Sequence, residues 1–197
     1  MILEHRGARP TIDPSAYVAP TAVVCGDVAV GAGARVLFGA VLSAEDGRVE
    51  VGRSSVVMEN ALVRGRAGHP ALVGDDVLIS PQAHVNGCEI EAGCFIATGA
   101  ALFPGARLGA GCEVRIHGVV HVNSVLAPDT VVPIGWIAAG DPAQLFAPGQ
   151  HEELWAVQRE LDFPRTVYGV ERGTPPAELM ARQTEFFGAH REDRECG

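Results

Sequence analysis

Residues 90–114 read IEAGCFIATGAALFPGARLGAGCEV, with an aliphatic side chain at every sixth place: Ile90, Ile96, Leu102, Leu108 and Val114. Four residues after each of the first four stands a small one: Cys94, Ala100, Ala106 and Cys112. A helix would repeat its apolar face about every 3.6 residues and an ordinary strand every second residue, so a period of six fits neither. It fits a chain wound into a triangular coil. Each side is a short strand with one bulky and one small inward position, and three sides close one turn.

The same ladder runs back through Val85, Ile79, Val73, Val63, Val57, Val51, Leu42, Val36, Val30, Val24, Val18 and Ile12, and forward through Val120, Leu126 and Val132. Its register slips by three extra residues after Leu42, by four after Val63 and by one missing after Val85. The first two slips predict loops extruded from corners over 44–49 and 65–70. Glycines directly after a rung, at Gly31, Gly52, Gly74 and Gly109, are read as outward positions beside the turn, where an unusual backbone is sometimes needed.

Beyond Val132 the period stops. Pro148-Gly149 introduces an expected helix over about 151–161, with Leu154, Val157 and Leu161 on the face that lies along the prism. A second is expected from Thr174-Pro175, carrying Leu179, Met180, Phe186 and Phe187. The charged stretch 188–197 is expected to be mobile. The organisation read from this is a β-helix domain over 1–140 and a helical segment with a tail over 141–197.

Composition agrees with aliphatic coils separated by turns: 47% apolar residues, only 6% aromatic, 24 Gly and 13 Pro. A formal charge of -9 without a basic run excludes nucleic acid and anionic membrane as expected partners. No stretch reaches the ~20 apolar residues of a membrane span, and five cysteines make no paired framework. A soluble protein of the reducing cytoplasm is expected.

The phrase His84-Val85-Asn86-Gly87-Cys88, with Gly74-Asp75-Asp76-Val77 before it and Gly140-Asp141-Pro142-Ala143 after, resembles the gamma-class carbonic anhydrases over roughly residues 12 to 165. The resemblance implies an all-β fold, a left-handed parallel β-helix of hexapeptide repeats with a C-terminal α-helix packed on the prism, assembled as a homotrimer. The left-handed coil is an exception to the usual right-handed crossover. In that family three histidines, two from one subunit and one from its neighbour, hold a zinc ion with an open position for water. The matching places here are Arg64, Pro81 and Asn86, none of them a zinc ligand. The family's acidic partners fall on Glu45 and Glu59. Neither a metal nor another cofactor is expected, and ordinary zinc-dependent hydration is not expected.

Residues three rungs apart stack at about the 4.8 Å strand spacing, which puts Cys25, Ser43, Arg64, Asn86, Phe103 and His121 in one outward column. If a neighbouring subunit packs as in the family, it adds Glu59, Pro81 and Gln82. The expected site therefore has Arg64 as anion anchor, with Glu59 and Glu45 as further catalytic candidates. Ser43, Asn86, Gln82 and His84 are the candidate substrate-binding groups, and a small anionic metabolite is the expected partner. The alternative is that Arg64 and a neighbour's Glu59 form an intersubunit ion pair and no more. A displaced metal site drawn from His69, His84, His117 and His121 is weighed against solvated or interface histidines. Cys88, Cys94 and Cys112 are read as packing residues. Two further readings stay open: a hexapeptide-class acyltransferase, although Arg107 and Arg115 are isolated, and a silent trimeric scaffold. Trimer contacts are expected through Leu37, Phe38 and Met58.

Overall fold

The computed structural model of the protein describes residues 1–196. Every rung from Val24 to Val132 is at most 3% exposed, so the six-residue period is a record of inward side chains. Ile12 and Val18, with fewer coils beyond them, are half-buried. The short strands stack in parallel on three faces of a left-handed β-helix. On the first face Ile12, Val30, Val51, Val73, Ile90, Leu108 and Leu126 are in register. A seven-stranded sheet carries Val18, Val36, Val57, Ile79, Ile96, Val114 and Val132 on the second. The third carries Val24, Leu42, Val63, Val85, Leu102 and Val120.

The corners have their own chemistry. Three residues after the second-face rungs lie Gly39, Asn60, Gln82, Gly99, His117 and Gly135, all with φ between 55° and 72°. Turning a corner this tightly needs the left-handed backbone, which glycine adopts freely and asparagine tolerates. At the glycines directly after rungs the unusual backbone is not used, because Gly31, Gly52, Gly74 and Gly109 do not have positive φ. They are small because the next coil is close: a Cβ on Gly74 would stand 2.9 Å from the Ala92 nitrogen.

The expected loop over 44–49 is instead part of one continuous strand, Val41–Val51, laid beside Val23–Val30 with a bulge between Gly26 and Val28. Pairing the inserted backbone with the coil below satisfies groups that a buried loop would strand. The second insertion is a tight turn in which Arg66 and His69 exchange backbone hydrogen bonds at 2.9 Å.

After an antiparallel return of Gln144–Phe146 on Ile137–Ala139, helix α1 (His151–Gln158) and a 3₁₀ turn (Arg159–Leu161) follow. Leu154 of α1 packs on Ala139 and Phe146, as its apolar face requires. Helix α2 (Phe163–Tyr168) was not expected from the sequence, and α3 (Pro176–Gly188) was. The tail departs most from expectation. It forms a 3₁₀ turn (Ala189–Glu192) and a strand (Arg194–Glu195) antiparallel to Ile2–Glu4. No helix among the described residues is long and apolar enough to cross a membrane.

Candidate functional site

The third face carries the outward column anticipated above, with Cys25 opposite Ser43, Ser43 opposite Arg64 and Arg64 opposite Asn86. The C-terminal elements cover it. Phe163 of α2 lies 5.4 Å from the Phe103 ring and 5.6 Å from that of His121. Phe187 of α3 lies under the Arg64 guanidinium at 5.7 Å, a cation–π contact.

Glu45 is the buried charge of this surface, 3% exposed. The Ser43 hydroxyl donates to its Oε1 at 2.8 Å, and His190 Nε2 lies 2.9 Å from its Oε2. Arg64 Nε stands 3.6 Å from Oε1, an ion pair beyond hydrogen-bond reach. Burial pulls the Arg64 guanidinium down from its usual range, Glu45 opposes this, and Arg66 adds to it. Beside them His84 is held below its ordinary value, first by burial and then by the charge of Arg64. His121 is lowered by burial as well. Three buried polar atoms of this face have no partner: Arg64 Nε, Asn86 Oδ1 and His121 Nδ1. A buried polar group costs about 1–3 kcal/mol when left unsatisfied, so these three atoms are the ones on this face with hydrogen-bonding capacity not used within one chain.

One chain therefore brings together Ser43, Glu45, Arg64 and Asn86, with His84 alongside. It does not bring Glu59 and Gln82 to them. Those two occupy the corner beyond the second face, where the Gln82 backbone N–H donates to the Glu59 carbonyl at 3.0 Å. Gln82 and His117 both hold left-handed corners, which accounts for their positions without a ligand. His69 sits in the tight turn after Arg66, and the four histidines singled out above make no group of three metal ligands among the described residues.

What sequence reasoning missed is the tail. His190 Nδ1 lies 2.8 Å from Asp193 Oδ2, and His5 Nδ1 lies 2.5 Å from Asp193 Oδ1. The Cys25 thiol points at the same carboxylate, 3.6 Å away. The pair at positions 190 and 193 was a local signal, since residues three apart share one face of a helical turn. Nothing local marked the other half, because His5 and Cys25 are remote in sequence.

Burial opposes the charge on His190, but the hydrogen bond to Asp193 and the charge of Glu45 outweigh it and raise its pKa. Burial likewise opposes the charge on Asp193, yet its bonds to His190 and His5 hold it low. The raised histidine contributes docking that is complete below its unfolded value and lost as pH rises through the folded one. The lowered aspartate contributes docking present above its unfolded value and lost on acidification. Attachment of the tail, with His5, Cys25, Glu45 and Arg64 facing these groups, is therefore expected to be tightest between about pH 3.9 and pH 6.5. Hydrogen exchange of residues 189–196 in chelator-stripped protein, corrected for intrinsic rates, checks this; protection that does not weaken above that window contradicts it.

The zinc site of the resembled family does not fit these residues. A guanidinium offers no lone pair, Pro81 has no donor atom, and Asn86 alone cannot hold zinc. The Arg64 charge would also repel a cation. No step through zinc is available at this place.

No family model matches the chain. Gamma carbonic anhydrase 1, mitochondrial, of Arabidopsis thaliana is 34% identical over 152 residues, covering 74% of this chain and 53% of the relative. Gamma carbonic anhydrase 2, mitochondrial, of the same plant is 30% identical over 151 residues, covering 74% and 52%. The chain spans about half the length of these curated relatives. A candidate acetyltransferase of Bacillus cereus superposes with a TM-score of 0.55 at 18% identity, over 93% of this chain and 95% of that one, which is a likeness of fold. Coils, corners and trailing helix define a hexapeptide-repeat β-helix protein. Within that class the chain belongs to the gamma-carbonic-anhydrase-like hexapeptide-repeat family.

Proposed function

We propose that the chain assembles as a homotrimer and holds a small carboxylate- or carbamate-type anion on Arg64 and Asn86, where its relatives' family holds zinc. The observation that carries this is the set of unpartnered buried atoms on the third face, Arg64 Nε above all. A guanidinium recognises a planar carboxylate through paired N–H donors, and an amide beside it can supply another. Ser43 and Glu45 set the position of Arg64, and His84 stands by as a neutral imidazole. A second copy would bring Glu59, the candidate base, together with Pro81 and Gln82. Assembly is supported by the second face, which leaves Phe38, Phe95, Ile116 and Ile134 between 40% and 63% exposed. Such a stripe suits a closed symmetric contact.

An acyltransferase reading is less well supported, since Arg107 and Arg115 face Asp141 and Glu113 and offer no free basic seat for a phosphorylated carrier. A silent scaffold has one specific observation behind it: Phe187 and His190 of the chain's own tail lie on Arg64 and Glu45.

Sedimentation is expected to give about three times the 20.6 kDa chain mass, and Arg64→Ala is expected to stay trimeric while losing calorimetric binding of small carboxylates by at least about tenfold. If Arg64 were only the partner of a neighbour's Glu59, its removal would weaken the trimer by about 3–5 kcal/mol, and Glu59→Gln on that background would restore it. A wild type that binds no carboxylate leaves the scaffold in front.

A further inference from the structure

Away from the Arg64–Asn86 pair, four metal-ligating side chains converge at the other end of the same column. His5, Cys25, His190 and Asp193 each place one donor atom within 4.8 Å of the others'. We propose that these four residues form a closed four-coordinate site for a divalent transition metal, zinc by its donor set, which pins the C-terminal tail to the first coils. The inference does not depend on the anion-binding reading.

The donors come from three remote stretches, and the backbone brings them together. Ile2–Glu4 pairs in parallel with Val23–Val30, setting Leu3 opposite Cys25, and antiparallel with Arg194–Glu195, setting Leu3 opposite Glu195. His5 and Cys25 are 2% and 3% exposed. His190 and Asp193 are partly covered rather than buried, and this single carboxylate serves both imidazoles and the thiol. A cation at their centre would satisfy all four. Nitrogen, sulfur and oxygen donors in this mixture suit tetrahedral zinc, with ligand atoms about 2.0–2.3 Å from the ion and hence about 3.4 Å from one another. Closing from the observed spacing is a side-chain adjustment, with no refolding of the ladder.

The surroundings favour the same assignment. Glu45 Oε2 lies on His190 Nε2, which leaves Nδ1 of that ring to face inward, the arrangement that orients metal-binding histidines. Arg6 Nε donates to His5 Nε2 at 3.2 Å. That contact belongs to the metal-free tautomer. Binding through His5 Nδ1 moves the ring proton to Nε2 and turns Arg6 away, which its exposed position allows. Burial first, and the charge of Asp193 second, push the Cys25 thiol up to about 12 without metal. A cation reverses that balance, so uptake releases the thiol proton to solvent and weakens as pH falls. With all four positions taken by protein, the site is structural and leaves no place for a reacting water.

The full chain, stripped with chelator and titrated with Co²⁺ under reducing conditions, is expected to bind one ion per chain with a thiolate-to-cobalt charge-transfer absorption, and Zn²⁺ is expected to displace it. Cys25→Ser should abolish that absorption. The near-isosteric His190→Gln and Asp193→Asn should each weaken binding at least about tenfold, the lower end of the loss seen when even a group behind a ligand is removed. Circular dichroism of each variant separates loss of the site from loss of the fold. No charge-transfer absorption in the folded wild type overturns the proposal. So does binding that all three variants leave unchanged, which would place the ion elsewhere on the chain.

Discussion

Carbon dioxide hydration by the purified chain is expected to stay near the buffer rate, and chelator is expected to leave it unchanged. The reason is local. Zinc-dependent hydration needs a metal-bound water whose pKa falls to about 7, and the best such sites turn over about 10⁶ times per second. Arg64, Pro81 and Asn86 supply no imidazole at that place, and the tail cluster, if loaded, has its four positions filled by protein. A stopped-flow pH-indicator assay on zinc-supplemented protein decides the matter. Chelator-sensitive hydration, orders of magnitude above buffer, would show that other residues had rebuilt an open metal site.

The second large effect concerns the prism itself. Replacing Ile96, fully buried on the second face, by alanine is expected to cost about 2–5 kcal/mol, because neighbouring coils cannot close over the lost volume. Its backbone is held between those of Ile79 and Val114, and the strand ladder fixes their separation. Denaturant unfolding measures the loss. Glu50→Ala, at a half-exposed surface pair with Arg48, serves as the control and should change stability by no more than about 0.5 kcal/mol. A small effect at Ile96 would mean that coils can compress, contrary to a rigid stack.

The prism was legible because its signal is local and redundant. Ile90, Ile96, Leu102, Leu108 and Val114 each face inward for the same reason, and a short window suffices to see them. The column of Ser43, Arg64 and Asn86 followed by counting rungs. The corner rule was also written in the sequence, in alternating Gly39, Asn60, Gln82, Gly99 and His117, but it is spread over several residue types that tolerate positive φ. Glu45 was harder. Its burial depends on an inserted stretch that continues the sheet, a choice made by backbone hydrogen bonding with the coil beneath. The meeting of His190 with Glu45, or of Asp193 with His5, was out of reach, since 145 and 188 residues separate those partners and no periodicity links them.

The two antiparallel strands that finish the third-face sheet matter for how copies of the chain can associate. Arg194–Glu195 lies antiparallel on Ile2–Glu4 at one end, and Gln144–Phe146 lies antiparallel on Ile137–Ala139 at the other. A parallel ladder is a template, and an open rung would accept the first coil of another molecule, then another, into a filament. Reversing the chain direction at both ends spoils that template, and the first cap is only two residues long and charged. Growth along the axis is thereby blocked on this face, while the apolar side at Phe38, Phe95 and Ile134 stays available. Association left open to this face is therefore sideways rather than end to end, the geometry that closed rings use and filaments do not.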